Sequence, residues 1–247
     1  MISLTPDVVG KTTVTITINN KTFQVNINTL GVDVPNSLLL STKQKKQITV
    51  KGINGIKWNS SNSSVVSVSK NGTIYAKKTG NAVLMGTLGD LQLGCAVSVV
   101  TPARKRTVQK AVQIAKTCTY SQPKRMQEKF YDCSSLVWKS YHKNGVNFGI
   151  AYYAPVAADM GKWCVQHKKL VSGGLSRANI QNMKLNPGDV MFETGQKNGR
   201  YKGIYHVEMI TGYIFYGFDG NGKAELGIQW ATGDEKYYPM GQMVGRP

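Results

Sequence analysis

From Gly10 to Asn28 the segment GKTTVTITINNKTFQVNIN alternates polar and apolar side chains around Asn19-Asn20-Lys21. A period of two about a turn-forming Asn pair predicts two antiparallel strands joined by a tight turn. A second segment of this kind, GNAVLMGTLGDLQLGCAVSVV, runs from Gly80 to Val100 with its turn at Gly89-Asp90. Between the two, short apolar runs recur at regular spacing: SLLLS at 37–41, KQITVKG at 46–52, GIKWNSS at 55–61, SVVSVS at 64–69 and TIYAKK at 73–78. Short strands punctuated by turns predict an antiparallel β-sandwich over residues 30–101. Residues 1–29 then read in two ways, as the terminal hairpin of a preceding β module or as extra strands of one irregular sandwich.

The period changes after Thr101. The stretch TPARKRT carries a proline and three basic residues, which predicts a linker at 102–107. Beyond it Val108, Ala111, Val112 and Ala115 recur at helical spacing, giving a helix that ends between Thr117 and Ser121. The loop SQPKRMQEKFY leads into YDCSSLVW, where Asp132 is suited to cap a helix that starts at Cys133 and stops at Asn144-Gly145. Asn186 to Thr194 reads as a turn feeding a strand, Ile204 to Gly212 as a second strand, and Phe215 to Phe218 with Glu225 to Ala231 as two more around a turn at 219–222. The fold class expected is therefore multidomain: an all-β sandwich followed by an α+β domain over 108–247.

The 247 residues, 41% of them apolar, suffice for two cores, and a monomer of two beads is expected, because neither half shows a long exposed apolar seam. The net charge of +18 is shared, with 10 Lys/Arg against 3 Asp/Glu in residues 1–101 and 21 against 10 in the remainder. Such a charge favours polyanions: nucleic acid, an acidic membrane, or the anionic polymers of a bacterial wall. No recognition helix, aromatic RNA-binding strand or zinc-finger spacing is present, which argues against specific nucleic acid. The cysteines at 95, 118, 133 and 164 form no close pair, so neither a structural metal nor a cofactor is expected, while a single bridge such as Cys118 to Cys164 stays open. No apolar run is long enough to span a membrane, and any export signal lies outside this sequence.

Cys133 is the candidate nucleophile, since the unpaired amides and positive end of a helix favour a thiolate. A cysteine beside apolar neighbours is also commonly core, which is the expected role of Cys95 and Cys164. Of three histidines, His206 in GIYHVEMITGY would project from a strand and serve as base. His142 lies nine residues along the Cys133 helix, about 13 Å away, and His167 reads as a surface residue at a helix end. Gln229 in GIQWAT is the candidate for orienting the imidazole. Glu208 is a poorer one, because it shares a strand with His206. Tyr152, Tyr153 and Trp163 read as groove or packing aromatics.

Two resemblances attach to these residues. The stretch IKWNSSNSSVVSVSKNGTIYAKKTGNAVLMGTL, with Trp58, Val66, Val68, Asn71-Gly72, Ala76 and Gly80 at family positions, resembles bacterial Ig-like domains of the second group, which are spacers or adhesive units. YDCSSLVW, LNPGDVMF and YHVEMITGY, in that order, resemble the NlpC-type cell-wall cysteine peptidases, a papain-like family. That second resemblance implies hydrolysis of peptidoglycan stem peptides between D-γ-glutamate and a diamino acid, in a secreted or wall-associated protein that also meets anionic wall polymers. It implies Cys133 as nucleophile, His206 as base and an orienting polar residue on the strand after His206, for which Gln229 is the candidate, with Tyr120 near the oxyanion or substrate, Asp132 and Ser134 at the substrate, and Asp132 toward its amine. A non-catalytic wall-binding or adhesive protein, and an acyltransferase or transglutaminase using the same dyad, are the alternatives.

Overall fold

A computed structural model describes residues 10–29, 31–51, 54–233 and 238–247. Strands β1 (Gly10–Ile18) and β2 (Lys21–Thr29) form the first hairpin, with Val14 opposite Val25 and Ile16 opposite Phe23. Asn19 and Asn20 have φ of 49° and 56°, the left-handed pair that a two-residue hairpin turn requires. Among the described residues these strands pair only with each other, so 10–29 add no strand to the sandwich. Residues 1–9 of the expected terminal segment, and 30, 52 and 53 of the expected sandwich, lie outside the described residues.

The sandwich comprises β3 (Gly31–Asp33), β4 (Ser37–Ser41), β5 (Lys45–Gln47), β6 (Thr49–Lys51), β7 (Lys57–Ser60), β8 (Val66–Val68), β9 (Thr73–Ala76), β10 (Gly80–Leu88) and β11 (Leu91–Val100). They form a four-stranded sheet in the order β4-β11-β10-β7, a three-stranded sheet β5-β9-β8 and the pair β3-β6. Leu40, Val66, Ile74, Leu84, Cys95 and Val97 make its core. The run expected at 46–52 is broken at Ile48, which buries its side chain and donates its N–H to Gly72. Gly72, at φ +81°, takes the turn that allows this, and a Cβ there would lie 2.5 Å from the Ile48 carbonyl.

The linker expected at 102–107 is instead the first part of α1 (Pro102–Thr117). Thr101 Oγ1 accepts from the Arg104 amide, and Pro102 sits at the first helical position, where its missing N–H costs nothing. The rest of the chain supplies β12 (Thr119–Tyr120), β13 (Phe130–Tyr131), α2 (Cys133–His142), α3 (Ala157–Gln166), α4 (Arg177–Gln181), β14 (Val190–Thr194), β15 (Ile204–Phe218), β16 (Ala224–Trp230) and β17 (Met243–Gly245). An antiparallel sheet in the order β16-β15-β14-β17 carries α1, α2 and α3 against β15. The strand expected to stop at Gly212 runs on to Phe218, with irregularities after Ile210 and Phe215 that keep it paired to β16. Asp189, fully buried, ties the turn before β14 to α1 and to the C-terminal segment through Arg104 at 2.9 Å and Arg246 at 2.7 Å.

The two halves are not separate beads. Val83 and Ala96, on the outer face of β10 and β11, are buried in one cluster with Leu175, Leu185, Ile210 and Tyr213. The Phe215 ring occupies the space above Gly94, where a Cβ would fall 2.2 Å from it. Polar bonds close the seam: the Phe215 amide donates to the Asn36 carbonyl at 2.9 Å, and Asn81 Nδ2 donates to the carbonyls of Met183 and Leu185 at 3.0 and 2.9 Å. All four cysteines are free thiols, so no bridge joins Cys118 to Cys164. Among the described residues no helix is long and apolar enough to cross a membrane.

Candidate functional site

Asp132 takes an extended conformation and caps α2 as the sequence predicts. Its Oδ1 accepts from the Ser135 amide at 2.7 Å, while Ser135 Oγ accepts from the Asp132 amide at 2.8 Å, a reciprocal box that satisfies two orphan donors. The cap starts the helix at Cys133. Residues Leu136, Val137, Ser140 and Tyr141 are buried, and Cys133 is half-buried at the exposed end.

Cys133 lines a cleft of about 500 Å³ together with His206, Tyr120, Gln122, Glu193, Tyr205 and Tyr238. Antiparallel register sets Glu193 of β14 directly opposite His206 of β15, so both project toward the cleft from adjacent strands. Tyr238 lies nearly parallel to the imidazole, with ring centroids 6.1 Å apart and its hydroxyl 3.4 Å from Nε2. Tyr120 packs edge-on against Tyr131 and sets its hydroxyl beside the Cys133 amide and the Gln122 side chain.

The helix end favours a thiolate, as expected, but it does not outweigh burial. Burial pushes the Cys133 thiol up, the amides of Val207 and Ser134 pull it down, and the negative charges of Asp132 and Glu208 add to the rise; the net direction is upward. A thiolate near neutral pH therefore needs a positive partner, which His206 can supply on taking the proton. Burial likewise raises the Tyr238 phenol, with Glu208 and Glu193 adding to it, so this hydroxyl stays protonated and can donate.

Three expected site residues lie elsewhere. Asp132 is 4% exposed and its second oxygen accepts from Arg125 Nη1 at 2.9 Å. Burial raises its carboxyl, but the Ser135 amide and Arg125 outweigh this and hold it below the usual range. It is a nearly buried cap paired to a buried cation, and it does not line the cleft. Ser134, 1% exposed, belongs to the same network through Arg125 Nη1 at 2.9 Å and Asp132 Oδ1 at 3.2 Å. Gln229 sits opposite Gly212, six residues along β15 from His206, and its Oε1 accepts from Ser37 Oγ of the sandwich at 2.6 Å. At roughly 3.3 Å per residue that is about 20 Å from the imidazole, so Gln229 is a seam residue.

Glu208, by contrast, is 2% exposed on the His206 face of β15 and accepts from the Met209 amide at 3.0 Å and from Thr232 Oγ1 at 2.7 Å. His142 stacks on Trp138 and His167 on Trp163, both off the cleft. Tyr153 covers Arg125 at 4.9 Å, and Tyr152 is exposed. The sequence reading missed Gln122, Glu193, Tyr205 and Tyr238. Gln122 stands two residues beyond Tyr120, and Glu193 needed only the register of β14 on β15; Tyr238 had no local signal. Among the described residues no group of three or more His, Cys, Asp or Glu side chains is placed to hold a metal ion.

Residues 34–99 match the family described as bacterial Ig-like domain (group 2), and this part of the chain is an Ig-like domain of that group. No curated protein matches the chain. Among solved structures it is similar to a GH10 xylanase from termite gut that contains a bacterial Ig-like domain, at 22% identity over 26% of this chain and 18% of that one, with a TM-score of 0.24. It is also similar to domains 4 and 5 of the S-layer protein SbsC, at 19% identity over 40% and 62%, TM-score 0.23. An intimin mutant of EHEC O157:H7 matches at 16% identity over 45% and 61%, TM-score 0.23. The chain spans less than two thirds of each of these.

Proposed function

We propose that the second domain is a cysteine peptidase acting on amide bonds of bacterial cell-wall stem peptides, held at the cell surface or wall in company with its Ig-like domain. The observation that carries this reading is that Cys133 and His206, remote in sequence, line one open cleft beside the Tyr120 hydroxyl.

The chemistry follows from those parts. His206 takes the Sγ proton, and the thiolate forms a bond to the scissile carbonyl carbon while the π pair moves onto oxygen. In this reading the Tyr120 hydroxyl and the Cys133 amide beside it stabilise that oxyanion. Collapse expels the amine, which takes the proton back from the imidazolium, and water activated by the neutral imidazole then hydrolyses the thioester to a carboxylate. Because burial raises the thiol, the imidazole contributes the ionisation as well as the proton shuttle. The stem-peptide substrate is supported by the three ordered motifs, and the surface location by the Ig-like domain at 34–99.

Digestion of purified peptidoglycan with the wild type and with Cys133→Ala, followed by mass analysis, tests this. The expected result is new fragments, each carrying one added water per cut, in the wild-type digest alone. Cys133-dependent products that have instead gained an amine would reassign the dyad to acyl transfer. Identical digests would leave a wall-binding or adhesive protein.

A further inference from the structure

A second cavity, of about 570 Å³, runs between α4 and β16. Its floor is apolar, formed by Leu226, Ile228 and Trp230, and its rim carries both signs of charge in Arg177, Lys223, Asp219 and Glu225. Tyr216 stands over it 63% exposed. The ring lies across Gly227, where a Cβ would fall 2.4 Å from it. Glycine is a poor residue for a strand interior and often marks the close approach of another group. Here the bare backbone lets an aromatic ring that is among the groove's lining residues lie down on the strand.

We infer that this groove binds an oligosaccharide. A sugar presents an apolar C–H face and a rim of hydroxyl and amide groups, which matches an open aromatic ring beside charged side chains of both signs. An added peptide strand fits less well, because α4 covers the β16 edge and the Leu226 carbonyl already accepts from Gln181 Nε2 at 3.0 Å. A polyanion fits less well too, since Asp219 and Glu225 flank the basic pair. Tyr238 lines both this groove and the Cys133–His206 cleft, so the two adjoin through one side chain. The choice of an amino-sugar polymer as probe rests on the wall-peptidase reading; the groove itself does not.

The test is titration of the Cys133→Ala protein with the tetramer of N-acetylglucosamine, followed by calorimetry and Trp fluorescence. Saturable binding is expected, weakened at least about tenfold in Tyr216→Ala and within about threefold of it in Tyr216→Phe, which keeps the ring. Arg177→Ala, at an exposed position, gives a second reading independent of the aromatic and is expected to weaken binding. Absence of saturable binding, or equal binding by Tyr216→Ala of unchanged unfolding midpoint, overturns the inference, as does displacement of the tetramer by a sugar-free stem peptide. Tetramer binding together with identical digests of peptidoglycan by wild type and Cys133→Ala would sink the peptidase reading alone.

Discussion

The hairpins β1–β2 and β10–β11 share a design, two long strands in unbroken register about a two-residue turn, yet they end in opposite environments. On the first, Ile18, Phe23 and Val25 are 57%, 51% and 44% exposed; on the second, Leu84, Cys95 and Val97 are fully buried. The second is covered twice. Leu84 opposite Cys95 faces the Ig-like core, and Val83 opposite Ala96 faces the second domain. The sequences differ accordingly, since TVTITI alternates strictly whereas AVLMG and CAV are continuous apolar runs, the mark of a strand buried on both faces. Alternation fixes which residues share a face, and its loss reveals how many faces are covered.

The largest expected effect comes from the doubly covered hairpin. Gly94→Val drives a branched side chain into the Phe215 ring, and thermal unfolding should show a loss of about 3 kcal/mol or more in a single transition, because the halves share a core. A wild-type midpoint, or separate melting of the two halves, would break the comparison. Asn81→Ala removes the side-chain donor to the Met183 carbonyl and one of the two donors to the Leu185 carbonyl, which keeps the Tyr213 hydroxyl, and urea unfolding should report about 1–3 kcal/mol. On the first hairpin Phe23→Thr should change stability by no more than about 0.5 kcal/mol. A larger loss by the same measurement would mean that β2 is covered.

The sandwich was legible because its strands, Asn-Gly turn and glycines each have a local cause. The positions of Cys133 at a helix start and His206 on a strand were legible because a cap and a period of two place them, whereas Tyr120 rested on the resemblance alone. Asp132 was readable as a cap but not as the partner of Arg125, since that pair forms only when the loop of 121–131 closes on the start of α2. The Thr101-Pro102 pair, taken as a break, is itself a helix start, a capping hydroxyl followed by proline at the first position. Gln229 was misplaced because β15 runs through Gly212 without stopping, which carries the end of β16 away from the imidazole and onto Ser37. The identity of the second cover on β10–β11 was hidden for a related reason: the continuous apolar run marks both faces as covered, but that the second domain is the cover is a fact of docking and not of period.

The most direct measurement is the rate of Cys133 alkylation by iodoacetamide across about pH 5 to 10 in the wild type and in His206→Ala. Burial raises the thiol, so without the imidazole the thiolate, and with it the rate, should grow only as pH climbs through the alkaline range. With His206 as proton acceptor, labelling should persist near neutral pH at least about tenfold faster than in His206→Ala, with buried Cys95 and Cys164, both pushed up to about 12, unlabelled. Equal rates in the two proteins throughout that range would contradict a Cys133–His206 dyad.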